Sequence, residues 1–81
     1  MGSIEDLVWQ LEKNPQNVAF KDLRRICDHY FGEPRTKGSH YIYKMPWPGD
    51  PRINIQDDHG KAKVYQVRQV MRAVKKKLEG A

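Results

Sequence analysis

The sequence predicts a compact α+β domain: two helices, three short strands, then a closing helix. Three observations carry this. Apolar residues recur at helical spacing in two segments before Gly32 and in one after Lys63. Between them, aromatic, β-branched and alternating residues mark strands. Gly38 and the run Pro46-Trp-Pro-Gly-Asp-Pro51 supply the breaks between those strands. Eighty-one residues suit one small domain.

Each element has its own signal. Ser3 followed by Asp6 reads as a helix start, a hydroxyl to cap a free amide and an acid at the positive helix end. Ile4, Leu7, Val8 and Leu11 then form a stripe, which Asn14-Pro15 ends, giving a helix over about residues 3–13. Trp9 falls on the other face and is expected to pack at an edge. The second helix runs from Ala19 or Phe20 to Phe31, with Phe20, Leu23, Ile26, Cys27, Tyr30 and Phe31 on one stripe and Gly32 as its stop. Cys27 lies within that stripe as a core residue, and His29 lies opposite it, solvated. Glu33–Lys37 is a weak first strand, residues 39–45 the second, and Arg52–Gln56, alternating polar and apolar, the third. Trp47, held between prolines, is expected to cover the core edge. Asp57-Asp58-His59-Gly60 is a loop. In the last helix, Val64 to about Leu78, the residues Val64, Val67, Val70, Met71, Val74 and Leu78 share an arc of about 120°. Arg68, Arg72, Lys75 and Lys76 occupy the adjoining arc.

Composition narrows the function. No apolar run approaches the about 18 residues of a membrane span, and Met1-Gly-Ser-Ile-Glu-Asp lacks the basic start and apolar stretch of a signal peptide. A single cysteine excludes an internal disulfide and fits a reducing cytoplasm. Residues 1–34 carry four Lys/Arg against six Asp/Glu, and residues 35–81 carry eleven against four. The net charge of +5 therefore sits in the second part of the chain, which points to a polyanion, nucleic acid before membrane. Three adjacent loop residues, Asp57, Asp58 and His59, do not make a zinc site, and no metal or other cofactor is expected.

The basic part begins with Arg35-Thr-Lys-Gly-Ser-His-Tyr-Ile-Tyr-Lys44. Here a histidine sits at the mouth of a strand, flanked by Arg35, Lys37 and Lys44. An imidazole exchanges protons near neutrality, its ordinary pKa being about 6.5. His40 shares a strand face with Ile42 and Lys44, while Tyr41, Tyr43 and Met45 share the other; both faces hold something apolar, so the sequence leaves its side undecided.

Three blocks resemble the HicA-type (YcfA-like) toxins of bacterial toxin–antitoxin systems. Lys37-Gly38-Ser39-His40-Tyr41-Ile42-Tyr43 is similar to that family's Gly-Ser-His signature, Phe20-Lys-Asp-Leu23 to its preceding helix, and Lys61-Ala-Lys-Val-Tyr65-Gln-Val-Arg-Gln-Val70 to the closing helix of one branch. The likeness spans roughly residues 17–76. It implies a fold like the double-stranded-RNA-binding domain (dsRBD), a three-stranded antiparallel sheet with helices on one face, here with an extra N-terminal helix. It implies a cytoplasmic messenger-RNA-cleaving toxin, monomeric when free and hetero-oligomeric with a HicB-like antitoxin. It makes His40 the catalytic residue. The leading helix departs from the shortest family members. His59 lies near a second family histidine, but Asp57-Asp58 differs from the pattern, and no role is carried over.

The chemistry such a site needs is modest. RNA supplies its own nucleophile, the 2′-hydroxyl, so the protein must move two protons and steady a crowded phosphorane. His40 serves as base or acid without metal, worth typically 10²- to 10⁴-fold; Lys37, Tyr41, His59 or water would make the second transfer. Arg35, Lys37 and Lys44, with the backbone around Gly38 and Ser39, are candidates to hold phosphate. Lys61 and Lys63 at the last helix start, with Arg68 and Arg72 on its basic stripe, extend the candidate RNA surface. Two other classes fit the same charge: an RNA-binding module without chemistry, which reads shape through phosphates and 2′-hydroxyls, and a basic surface that docks an acidic protein.

Overall fold

The computed structural model describes residues 3–49 and 51–80. Its elements are α1 (Ile4–Lys13), α2 (Phe20–Phe31), β1 (Arg35–Lys37), β2 (His40–Lys44), β3 (Arg52–Gln56) and α3 (Val64–Leu78). The strands form one open antiparallel sheet in the order β1-β2-β3. Asp50, part of the turn expected over Pro46–Pro51, lies outside the described residues.

α1 begins where Ser3 and Asp6 close a reciprocal capping box. Ser3 Oγ accepts from the Asp6 amide at 3.1 Å, and the Asp6 carboxylate accepts from the Ser3 amide. Such a cap stabilises a helix by about 1 kcal/mol. α2 starts differently: Ala19 at its N-cap offers no side-chain acceptor. Instead the Phe20 amide donates to the Gly60 carbonyl and the Ala62 amide to the Val18 carbonyl, each at 2.9 Å. The loop after β3 is thereby strapped across the start of α2. Gly32, at φ +83°, ends that helix with its amide on the Asp28 carbonyl.

The core lies between one sheet face and the helices. Leu23, Ile26 and Cys27 of α2, Tyr43 and Ile55 of the sheet, and Val67, Val70 and Val74 of α3 are essentially sealed from solvent. Burial pushes the Cys27 thiol up to about 12, with the neighbouring Asp28 charge adding to the effect, so it is an inert core residue. α1 packs on α2 and α3, and its Leu11 joins the core. Two cross-links tie the layers together. Tyr43 Oη donates to Asp28 at 2.6 Å, fixing β2 to α2. Lys77 Nζ donates to the Tyr30 carbonyl at the end of α2, where a cation complements the exposed carbonyls.

Several expectations are adjusted. The first strand opens at Arg35 and not Glu33, because Pro34 has no amide to pair. The second is shorter by one residue at each end, Ser39 being part of the turn. Trp9 does not pack at an edge: it is 61% exposed, with Lys13 Nζ 5.3 Å from its ring centroid. Leu78 falls on the apolar arc but is 66% exposed: it is the last residue of α3 and lines an open groove with Val8 and Trp9. Trp47 covers the core edge as expected, meeting Phe31 edge-on, with Lys76 over its ring at 4.6 Å. His29 is exposed beside the Tyr30 ring. No described helix is long and apolar enough to cross a membrane.

Candidate active site

The strand register decides which face His40 uses. Tyr41 pairs with Ile55 and Tyr43 with Ile53; both isoleucines and Tyr43 are buried under the helices. His40, Ile42 and Lys44 alternate with these, so they point to the open face. Directly paired residues share a face, so Arg35 and Lys37 of β1 and Arg52, Asn54 and Gln56 of β3 join them. The strand positions of this face carry four cations, one histidine and no carboxylate.

The turn that presents His40 is set by Gly38. Lys37 pairs with His40 across a two-residue loop, Gly38-Ser39. Gly38 has φ +60° while Ser39 keeps a negative φ. That is the pattern of a type II′ hairpin, which needs glycine at its first central position. The Asp57 amide donates to the Ser39 carbonyl at 2.9 Å, and Gln56 Nε2 lies 3.5 Å from Ser39 Oγ. The end of β3 therefore buttresses the turn. Gln66 of α3 in turn holds the end of β3: it is 4% exposed, and its Oε1 accepts from the Gln56 amide at 2.9 Å.

His40 is half-exposed, and its Nδ1 lies 3.0 Å from Asn54 Oδ1. A carbonyl oxygen only accepts, so Nδ1 is the donor in this pair, and Nε2 is the nitrogen left to exchange a proton with a substrate. An Nε2 on an open, cation-lined face can accept a proton from a hydroxyl brought to it. Lys37 stands opposite His40 on the same face. Tyr41 is withdrawn as a partner for proton transfer: it points to the helix side, 5.0 Å from the Phe20 ring with the Arg24 guanidinium 4.7 Å from its centroid. His59 is fully exposed at φ +53°, bonded to Asp58 in the loop that leaves the sheet at the His40 end. Among the described residues no group of three His, Cys, Asp or Glu gathers in metal-binding geometry.

The remaining candidate cations divide. Arg35, Lys37 and Lys44 share the open face with His40. Lys61 bridges to Ala19 and Asp58 in the loop strapped over α2, and Lys63 is the N-cap residue of α3. Arg68 and Arg72 lie beside Leu11, Glu12 and Pro15 at the end of α1, in the helical layer. The structure thus brings three of the candidate cations to the histidine and distributes the rest elsewhere. It adds Arg52, Asn54 and Gln56, which sequence reading used only as strand residues, and Gln66. The alternation of Arg52-Ile-Asn-Ile-Gln56 already placed the three polar residues of β3 on one face; their pairing with β2 supplied the rest. Comparison with family models, with curated proteins and with solved structures finds no match to this chain.

Proposed function

We propose that the protein is a metal-independent endoribonuclease, a HicA-like messenger-RNA-cleaving toxin acting in the cytoplasm, with His40 as its catalytic base. The observation that carries this reading is the pairing of His40 Nδ1 with Asn54 Oδ1, which orients the ring and leaves Nε2 for the substrate, on a sheet face whose charged strand positions are all cationic. The order α2-β1-β2-β3-α3, with helices over one sheet face, suits a dsRBD-like domain, and α1 is then the added element.

In this mechanism Nε2 of His40 takes the proton of a 2′-hydroxyl. The 2′-oxygen attacks the adjacent phosphorus, the bond to the 5′-oxygen breaks, and that oxygen takes a proton from Lys37, His59 or water. The products are a 2′,3′-cyclic phosphate and a 5′-hydroxyl. Lys37, opposite His40, steadies the charge that builds on the phosphorane. An acidic, HicB-like antitoxin would silence the enzyme by covering the same cationic face, turning the free monomer into a hetero-oligomer.

The second reading is an RNA-binding module without chemistry. One observation favours it: His40 is the sole histidine on the strand positions of the open face, so the second proton must come from Lys37, from His59 in the loop beyond β3, or from water. Incubating long single-stranded RNA in EDTA with the parent and with His40→Ala separates the two. Cutting by the parent alone, with binding by both, supports the enzyme; binding without cutting by either supports the module.

A further inference from the structure

The helical layer carries a surface of a different kind. Three large apolar side chains stand exposed among the described residues, and two of them, Trp9 and Leu78, face one groove between α1 and α3. Val8, Met71 and Val74 lie along it, and Tyr30 reaches it from α2. Tyr30 is only 9% exposed, yet its hydroxyl, unlike that of Tyr43, has no hydrogen-bond partner among the described residues. Burial, and then the Glu5 carboxylate at the groove's edge, push that hydroxyl above the ordinary tyrosine range. Clustered exposed apolar surface marks an interaction site, and the charges around it say what it meets.

The chain as a whole has a net charge of +5, and the groove inverts that sign. Glu5, Glu12 and Glu79 edge it against Lys75 alone. None of the three carboxylates is in an ion pair among the described residues. The nearest other cations are engaged: Lys13 at the Trp9 ring, Lys76 over Trp47 and Lys77 at the Tyr30 carbonyl. Arg68 and Arg72 lie beyond Glu12, in another hollow. Such a rim repels RNA and anionic lipid and attracts cations. The walls run from Glu5 to Glu12 on α1 and from Met71 to Leu78 on α3, about two helical turns each. A groove between two helices receives a third through interlocking ridges, with apolar residues at i, i+3, i+4 and i+7. A second copy of this chain cannot supply that helix. The basic arc of α3 adjoins an apolar arc already buried in the core, and α1 carries Glu5, Asp6 and Glu12 against Lys13. We infer that this groove docks an amphipathic helix of a partner protein, apolar along one side and flanked by lysine or arginine. The groove belongs to the helical layer, away from the open sheet face, so the inference does not rest on the RNA-cleaving reading.

The test is fluorescence anisotropy of two labelled peptide pools at low and high salt. Both are helical peptides of about four turns, with leucine, isoleucine or phenylalanine at the stripe positions; one pool is flanked by lysine and the other by glutamate. The full chain, Trp9→Gln, Leu78→Gln and the control Tyr65→Gln, whose tyrosine is exposed outside the groove, are compared, with thermal melts to show that each folds. The lysine pool is expected to bind the parent and Tyr65→Gln alike, and to bind Trp9→Gln and Leu78→Gln about tenfold more weakly. Glu5→Gln and Glu12→Gln together should weaken it at low salt and have little effect at high salt. Equal binding of the two pools, absence of binding by the lysine pool, or parental affinity in both groove variants would overturn the inference. So would a parent that sediments as a dimer while Trp9→Gln sediments as a monomer, which would give the groove to a second copy.

Discussion

Replacing Gln66 by leucine isolates the contact that holds the end of β3 beside His40. Gln66 is a buried polar residue on an otherwise apolar helix face, and its Oε1 is the acceptor for the Gln56 amide at 2.9 Å. Its Nε2 reaches only the Tyr65 hydroxyl, at 3.4 Å, and Tyr65 is exposed. Leucine keeps similar bulk and removes the acceptor. Leaving this part-buried Gln56 amide unpaired costs about 1–3 kcal/mol, and the added apolar burial returns roughly 1 kcal/mol at most. Taking about 2 kcal/mol for the unpaired amide and up to about 1 kcal/mol returned, the net loss is about 1–2 kcal/mol, which for a domain of this size lowers Tm by roughly 5–15 °C. Urea denaturation gives the free energy, and hydrogen exchange gives the location. The Gln56 amide should lose more protection than the amides of β2. A Gln66→Leu chain as stable as the parent, with the Gln56 amide still slow to exchange, would refute the reasoning.

Two further predictions concern the core. Tyr43→Phe removes the hydroxyl that donates to Asp28 at 2.6 Å; a hydrogen bond to a partly exposed carboxylate is worth about 1–2 kcal/mol, so denaturation should show that loss, while the RNA binding proposed for the opposite sheet face should be unchanged. Cys27 gives a pH signature. Its thiol ionises near 9.0 when unfolded and about 12 when folded, so above the lower value the unfolded chain sheds a proton that the native chain keeps. The contribution is fully present below pH 9 and is lost as pH rises towards 12, at up to about 1.4 kcal/mol per pH unit. Denaturation of the parent and of Cys27→Ala at several alkaline pH values should show a shallower decline in the variant.

Much of the fold was legible because its signals are local. Ser3 and Asp6 are three residues apart and cap their own helix. The stripes of α2 and α3 and the alternation of β3 need no distant partner to be read. The face used by His40 was not legible, because Ile42 on one side and Tyr41, Tyr43 and Met45 on the other both offered apolar surface. Pairing Tyr43 with Ile53 and Tyr41 with Ile55 settles it, and that register crosses the proline-rich turn, whose geometry the sequence does not specify. Asn54 was missed for the same reason: its contact with His40 spans fourteen residues. Gln66 was missed because a glutamine on a helix reads as solvated until a strand end arrives to use it. Arg68 and Arg72 were grouped with the site by charge, but a helical arc gives a direction around its own axis and not the neighbour it meets.

The central claim is that His40 cuts RNA through its 2′-hydroxyl without metal. The most direct measurement maps the ends of single-stranded RNA incubated in EDTA with the parent and with His40→Ala. The account predicts 5′-hydroxyl and 2′,3′-cyclic phosphate ends from the parent and intact RNA from the variant. Equal cleavage by both, or 5′-phosphate ends from the parent, would contradict it.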